Sequence, residues 1–257
     1  MILREPLRRL GHTIHALGTV DSTQVEASRL AAAGAPEGTV VTASHQTEGR
    51  GRRGRQWLDA EGECLLMSIV LRPAVPSGHA PQLSLVGAVA MVDALTTSVG
   101  LRAAIRWPND VLVGERKICG MLPAAVTSAP GALGHVILGI GLNVNQSTFP
   151  EPLRNIATSV RIETGRVILV AKMMESVLAT LDRWYTRFLA SGVDGLREAW
   201  LERSQTIGRR VTTGDGREGV AVDLAADGAL VLRTDIGETL RILAGDVTME
   251  AADAARH

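Results

Sequence analysis

The feature that most constrains this chain is a change of texture at Ser204. Before it, strand-length apolar runs alternate with helical stretches; from Ile207 to Val247, short β-favouring runs (RVTT, GVAVDL, ALVLRT, TLRILA) are separated by Gly and Asp turns. Four or five strands in about forty residues predict a small barrel or sandwich. The chain therefore divides into a larger α/β domain over 1–204 and a small β domain over 205–257. At roughly 100–200 residues per domain, a length of 257 residues suits one large unit and one small one. There is no internal repeat and no low-complexity linker.

Within the first part, Thr23 with Glu26 three residues on reads as a capping box opening a helix, which Gly34 ends. GTVVTA starts a strand at Val40, and Cys64 to Leu71 is a continuous apolar run of strand length. Gln82 to Val99 is long and rich in Ala, Leu and Val, which predicts a buried helix closed by Gly100. Ala103 to Trp107 is a short strand stopped at Pro108, and Val111 to Leu122 reads as a hairpin turning at Gly114-Glu115. His135 to Val144 is a glycine-rich strand; Met173 to Leu189 is an amphipathic helix, and a shorter one runs to about Arg203.

Composition excludes several classes. With 46% hydrophobic residues, 21% charged and zero net charge, a disordered chain or a nucleic-acid coat is not expected. Cys64 and Cys119 are too few for a disulfide framework and lie in no zinc spacing. The first residues lack a signal-peptide core, and no stretch is expected to approach the roughly 20 apolar residues of a membrane span. A cytoplasmic protein with no membrane association is the expectation.

The densest chemical signal is Gln46-Thr47-Glu48-Gly49-Arg50-Gly51-Arg52-Arg53-Gly54-Arg55-Gln56-Trp57. It contains G-x-G-x-x-G, but no apolar helix follows, so the dinucleotide reading lacks its context. Four arginines among three glycines make forked cationic donors on a pliable backbone, suited to a polyphosphate or carboxylate. A solvated loop that binds nucleic acid loosely fits this stretch equally well. A second cluster is Arg106-Trp107-Pro108-Asn109-Asp110, followed by Arg116-Lys117-Ile118-Cys119-Gly120. Pro-Asn-Asp after a strand is also an ordinary turn. The chain has only two lysines, Lys117 and Lys172, and the predicted hairpin returns Lys117 beside that turn. Gly139 and Gly141 in an apolar strand allow close approach by a ligand, a backbone or packed side chains. Histidines 12, 15, 45, 79, 135 and 257 show neither metal nor triad spacing, and Cys119 reads as a packing residue.

In this order, the pieces resemble the biotin protein ligases: Asp21-Ser22-Thr23, Gln46 with Gly49 to Trp57, Arg106 to Asp110, Lys117 with Gly120, and Gly139 to Asn145. The resemblance runs from about residue 20 to the C-terminus. It implies an α/β catalytic domain with a mixed β-sheet flanked by helices, class II synthetase-like, and a small SH3-like β-barrel. It also implies condensation of biotin with ATP to biotinyl-5′-AMP, using Mg2+, and transfer of biotin to one lysine of a biotin carboxyl carrier protein domain. By resemblance, Ser22, Thr23 and Gln46 hold the ureido head of biotin, with Gly49, Arg50, Lys117 and Gly120 along the rest. Arg52, Arg55, Trp57, Asn109 and Asn143 meet the nucleotide; Lys117, Arg52 and Asp110 are the catalytic set, and no residue is assigned to a metal. Lys117 would neutralise the biotin carboxylate or the α-phosphate, and Asp110 would orient or deprotonate the acceptor lysine. Only about twenty residues precede the DST turn, so a form without an N-terminal DNA-binding domain is expected, as a monomer or weak homodimer. The chain departs from the family pattern at Arg106 (commonly Lys), Gln24 (commonly Asn), Glu48 (commonly small) and Pro123-Ala124 (commonly including Glu).

Three rivals remain. A lipoate or octanoate ligase of related fold would lack the arginine run. A degenerate homologue would bind biotin without ligating it. An RNA- or DNA-binding protein would interleave stacking aromatics, of which only Trp57 is near.

Overall fold

The structure, a computed structural model, describes residues 9–129 and 132–250. Its first part is built on β1 (Thr13–Val20), α1 (Thr23–Ala32), β2 (Thr39–Gln46), β3 (Cys64–Leu71), α2 (Leu83–Val99), β4 (Ala104–Arg106), β5 (Asp110–Val113), β6 (Arg116–Ala129) and β7 (Ala132–Asn143). The strands form one seven-stranded sheet in the order β1-β2-β3-β7-β6-β5-β4. Only β1 and β2 run parallel; every other pairing is antiparallel, so the sheet is mixed.

Burial explains which runs are apolar throughout. Strand β3 is central and buried at all eight residues, because helices cover both faces of the sheet there. On one face Ala27 and Ala31 of α1 pack on Val41, Val70 and Ile137; on the other, Val40, Met67 and Ile69 join α2 in the main core. Helix α2 is apolar on nearly every side and ends at Gly100, whose left-handed φ of 74° closes the cap. Contrary to the sequence expectation, Ser77–Val99 is long and apolar enough to cross a bilayer, but 83% of the qualifying window is buried in the core.

Then come α3 (Val160–Thr164), α4 (Val170–Ser191) and α5 (Asp194–Arg203). Helix α4 lays its apolar face, Met173, Val177, Leu181, Trp184 and Phe188, on the α2 side of the core. The C-terminal domain is a five-stranded antiparallel sheet of β8 (Arg210–Thr213), β9 (Glu218–Leu224), β10 (Leu230–Arg233), β11 (Thr239–Ile242) and β12 (Val247–Met249), ordered β11-β10-β9-β8-β12.

Trp107 ties this domain to the first. It is 2% exposed, its backbone N–H donates to Thr206 Oγ1 at 2.9 Å, and its indole N–H donates to the Gly228 carbonyl at 3.3 Å. Gln82 Nε2 donates to the Asp227 carbonyl at 2.9 Å, beside the same turn. A tryptophan in a polar stretch is thus a domain anchor.

Three local expectations need correction. Ser22, not Thr23, caps α1: its Oγ accepts from Gln24 N, while the Thr23 hydroxyl turns to Gln46. Strand β6 runs to Ala129, well past 122, and β7 starts at Ala132, ahead of 135. Strand β1 was not expected at all; it is a largely exposed edge strand, so no buried face marks it with apolar alternation.

Candidate active site

A cavity of about 360 Å3 opens between the ends of α1 and β2, the arginine loop, the β4–β6 turn and hairpin, and the segment after β7. Ser22, Thr23, Gln46, Arg50, Arg52, Arg55, Trp57, Asn109, Asp110, Lys117, Gly120 and Asn143 all line it. Residues 22 and 143 are thus brought together by strand order, not by chain proximity.

One end of the cavity is a neutral hydrogen-bonding cluster. Gln46 Oε1 accepts from both the backbone N–H and the hydroxyl of Thr23, at 2.8 and 2.9 Å, and the Thr23 hydroxyl also meets Ser68 Oγ at 2.8 Å. That fixes which way the Gln46 amide faces and leaves its NH2 group uncommitted among the described residues. Gln24 Nε2 donates to the Leu122 carbonyl at 2.7 Å and lies over Gly139, where a Cβ would be 2.9 Å from it.

The middle of the cavity is cationic. Lys117 Nζ lies 2.6 Å from Asp110 Oδ1 and 5.7 Å from the Trp57 ring centre, and Arg106 Nη2 donates to Asp110 Oδ2 at 2.7 Å. Burial works to raise the Asp110 pKa, but Lys117 and then Arg106 outweigh it and hold the carboxyl below its ordinary range. Arg106 thus supplies the second cation beside Asp110. The Trp57 ring rests on Gly141, where a Cβ would stand 2.6 Å from the ring, and reaches over Gly120 beside the Lys117 ammonium. Both strand glycines therefore make room for side chains, Gln24 and Trp57.

The arginine loop is itself a small hairpin. Arg50 and Gln56 pair, Gly51 N donates to the Arg55 carbonyl at 2.7 Å, and Trp57 N donates to the Gly49 carbonyl at 3.0 Å. Its tip, Arg52–Gly54, is a 3-10 turn with Arg53 at φ 55°, in the left-handed region. Arg52 Nη1 donates to Asn109 Oδ1 at 3.1 Å, and Asn109 Nδ2 donates in turn to the Met121 carbonyl at 2.8 Å.

Two expected residues stand differently from the expectation. Gly49 does not line the cavity; it is in the neck of the loop, where a Cβ would be 2.5 Å from the Trp57 carbonyl oxygen. Asn143 lines the cavity, but its amide donates to the Thr158 carbonyl at 2.9 Å and accepts from Gln146 at 3.1 Å, so it braces the segment after β7. That segment adds an apolar wall, Phe149, Leu153 and Ile156, which no sequence signal marked. Among the described residues, no group of three or more His, Cys, Asp or Glu could hold a metal ion. Cys119 is fully buried and burial pushes its thiol pKa up, so it is no nucleophile.

A profile of the biotin/lipoate A/B protein ligase family matches residues 17–143, and one of the biotin protein ligase C-terminal domain matches residues 206–249. The chain is 35% identical over 229 residues to a biotin–[acetyl-CoA-carboxylase] ligase of Paracoccus denitrificans, covering 86% of this chain and 94% of that one. It is 37% identical over 223 residues to the bifunctional ligase/repressor BirA of Bacillus spizizenii, covering 85% of this chain and 68% of that one. Among solved structures it is similar to the biotin protein ligase from Aquifex aeolicus in complex with biotin and ATP: TM-score 0.80, 29% identity, and coverage of 94% of this chain and 100% of that chain.

Proposed function

The chain belongs to the biotin/lipoate A/B protein ligase family, with biotin protein ligase activity, and we propose that the cavity around Lys117 serves both half-reactions. In the first, a biotin carboxylate oxygen attacks the α-phosphorus of ATP, pyrophosphate leaves, and biotinyl-5′-AMP forms. In the second, the ε-amine of a carrier-protein lysine attacks the acyl carbon, AMP leaves, and one proton is released.

The observation that carries this reading is the meeting of three cations, Lys117, Arg52 and Arg55, with a neutral hydrogen-bonding cluster, Ser22, Thr23 and Gln46, in one cavity. Bringing a carboxylate to a triphosphate sets anion against anion. A unit charge pair at 4 Å is worth about 1 kcal/mol in water and about 4 kcal/mol at an effective dielectric of 20, so cations fixed in a sheltered cavity offset that repulsion. Lys117 serves as a compact charge able to follow the reacting oxygen. Arg52 and Arg55 present planar forks to the phosphates. The ureido head, with both donors and an acceptor, matches the Gln46 amide and the Ser22 hydroxyl.

Asp110, held below the ordinary carboxylate range by Lys117 and Arg106, stays charged and orients the incoming lysine side chain. In this reading magnesium enters with ATP, as part of the nucleotide substrate. A reaction that consumes ATP suits a cytoplasmic setting.

The test is incubation with biotin, ATP, magnesium and an apo carrier domain, with lipoate in a parallel arm. Pyrophosphate exchange that depends on biotin, and a mass increase of one biotinyl group on the carrier, are expected. Exchange with lipoate and none with biotin would overturn the assignment.

A further inference from the structure

The arginine loop is held from the far side by the C-terminal domain. Asp246, in the turn between β11 and β12, places Oδ1 3.0 Å from Arg52 Nη1 and Oδ2 2.5 Å from Arg55 Nη2. The neighbouring Gly245 carbonyl accepts from Arg52 Nη2 at 3.1 Å. Arg53 reaches the same surface: a Cβ on Gly214 would stand 2.8 Å from its Nη1. Three of the four loop arginines therefore meet two turns of the C-terminal domain. Those turns are joined to each other, since Gly214 N donates to the Asp246 carbonyl at 3.1 Å and Val247 pairs with Thr213.

Resting on the ligase reading above, we propose that Asp246 is a positioning residue for ATP, acting through Arg52 and Arg55. Its carboxylate ties the arginine loop to the C-terminal domain, so the second domain sets where the loop's cations stand and how firmly they cover the adenylate. Ordering a glycine-rich loop costs conformational entropy, and ion pairs formed within the protein remove part of that cost from substrate binding. Asp246 can do this because its own domain is fixed: Trp107 is hydrogen-bonded to Thr206 and Gly228 behind the same active-site turn. Arg52 is then gripped between Asn109 in the β4–β5 turn and the Gly245–Asp246 turn, which leaves little freedom to its guanidinium plane. Because one carboxylate meets two guanidiniums, the pair keeps a net positive charge for phosphate.

The test compares wild type with Asp246→Ala, Asp246→Asn and Asp246→Glu, using the full chain. Without substrates, amide hydrogen exchange at Gly51, Arg55 and Trp57 should quicken in D246A and return toward wild type in D246E. With substrates, KM for ATP in D246A should rise roughly five- to tenfold, while KM for biotin moves by less than about twofold. More biotinyl-5′-AMP should escape into solution; D246N should fall between, and D246E should recover both readouts. Loop exchange equal to wild type, or an ATP KM that is unchanged or lower in D246A, overturns the anchor; a lower KM would mean the carboxylate competes with phosphate. A wild-type protein that forms no biotinyl-5′-AMP would sink the ligase reading, and the exchange experiment would still decide the anchor.

Discussion

Lys117 is the residue on which the chemistry turns. It faces Asp110, the Trp57 ring and the space above Gly120 at once. Lys117→Ala should lower biotin-dependent pyrophosphate exchange about 10²- to 10³-fold, the usual cost of one preorganised electrostatic donor. Lys117→Arg should recover little, because a planar fork cannot occupy the point between Asp110 and the ring. Asp110 predicts a pH signature. Its folded pKa is depressed, so its stabilising contribution is complete well above the ordinary carboxylate value of about 3.9 and is lost as pH falls through the lower folded value. The difference in thermal stability between wild type and Asp110→Asn should be flat from about pH 7 to 5 and shrink below about pH 4. Arg52→Gly removes the contacts to Asn109 and the C-terminal domain together. It should let biotinyl-5′-AMP escape and label bystander lysines faster than wild type does, which streptavidin blotting of an added unrelated protein would reveal. Residue types at this scale were readable in advance; roles were less so. Asn109 and Asn143 look alike as polar cavity residues in sequence, yet one braces Arg52 and the other braces the segment after β7.

At the scale of elements, β7 illustrates how a strand serves a site through what it omits. Its two glycines let Gln24 and Trp57 lie flat on the sheet. Gly141→Ala would put a methyl 2.6 Å from the Trp57 ring, so the indole must move off the strand and take the exit of the arginine loop with it. A red-shifted tryptophan emission and weaker ATP binding are expected, with little loss of thermal stability because the ring is only partly buried. The helices and central strands were legible because each buries a face or a whole run, and burial writes itself as apolar periodicity. Strand β1 and helix α3 were not legible: β1 is an exposed edge, and α3 is five residues long. The cap of α1 is ambiguous in sequence because Ser22 and Thr23 are both capable caps, and only Gln46 and Ser68 draw Thr23 away.

The whole molecule is two domains joined at the active-site turn. Trp107→Ala should cost about 3–5 kcal/mol, and calorimetry should show its unfolding endotherm broader than that of wild type, or split, as the C-terminal domain loses its anchor. The sequence alone determined that α/β elements are followed by a run of short strands, and which chemical types were on hand for a site. Those follow from local propensity and from burial, which are written along the chain. Only the tertiary structure decided that Asp110 stands between two cations, that the glycines of β7 seat Gln24 and Trp57, and that an aspartate some 190 residues away grips the arginine loop. Such contacts depend on strand order and on how one domain docks on another, and neither leaves a periodic trace in the residues that make them.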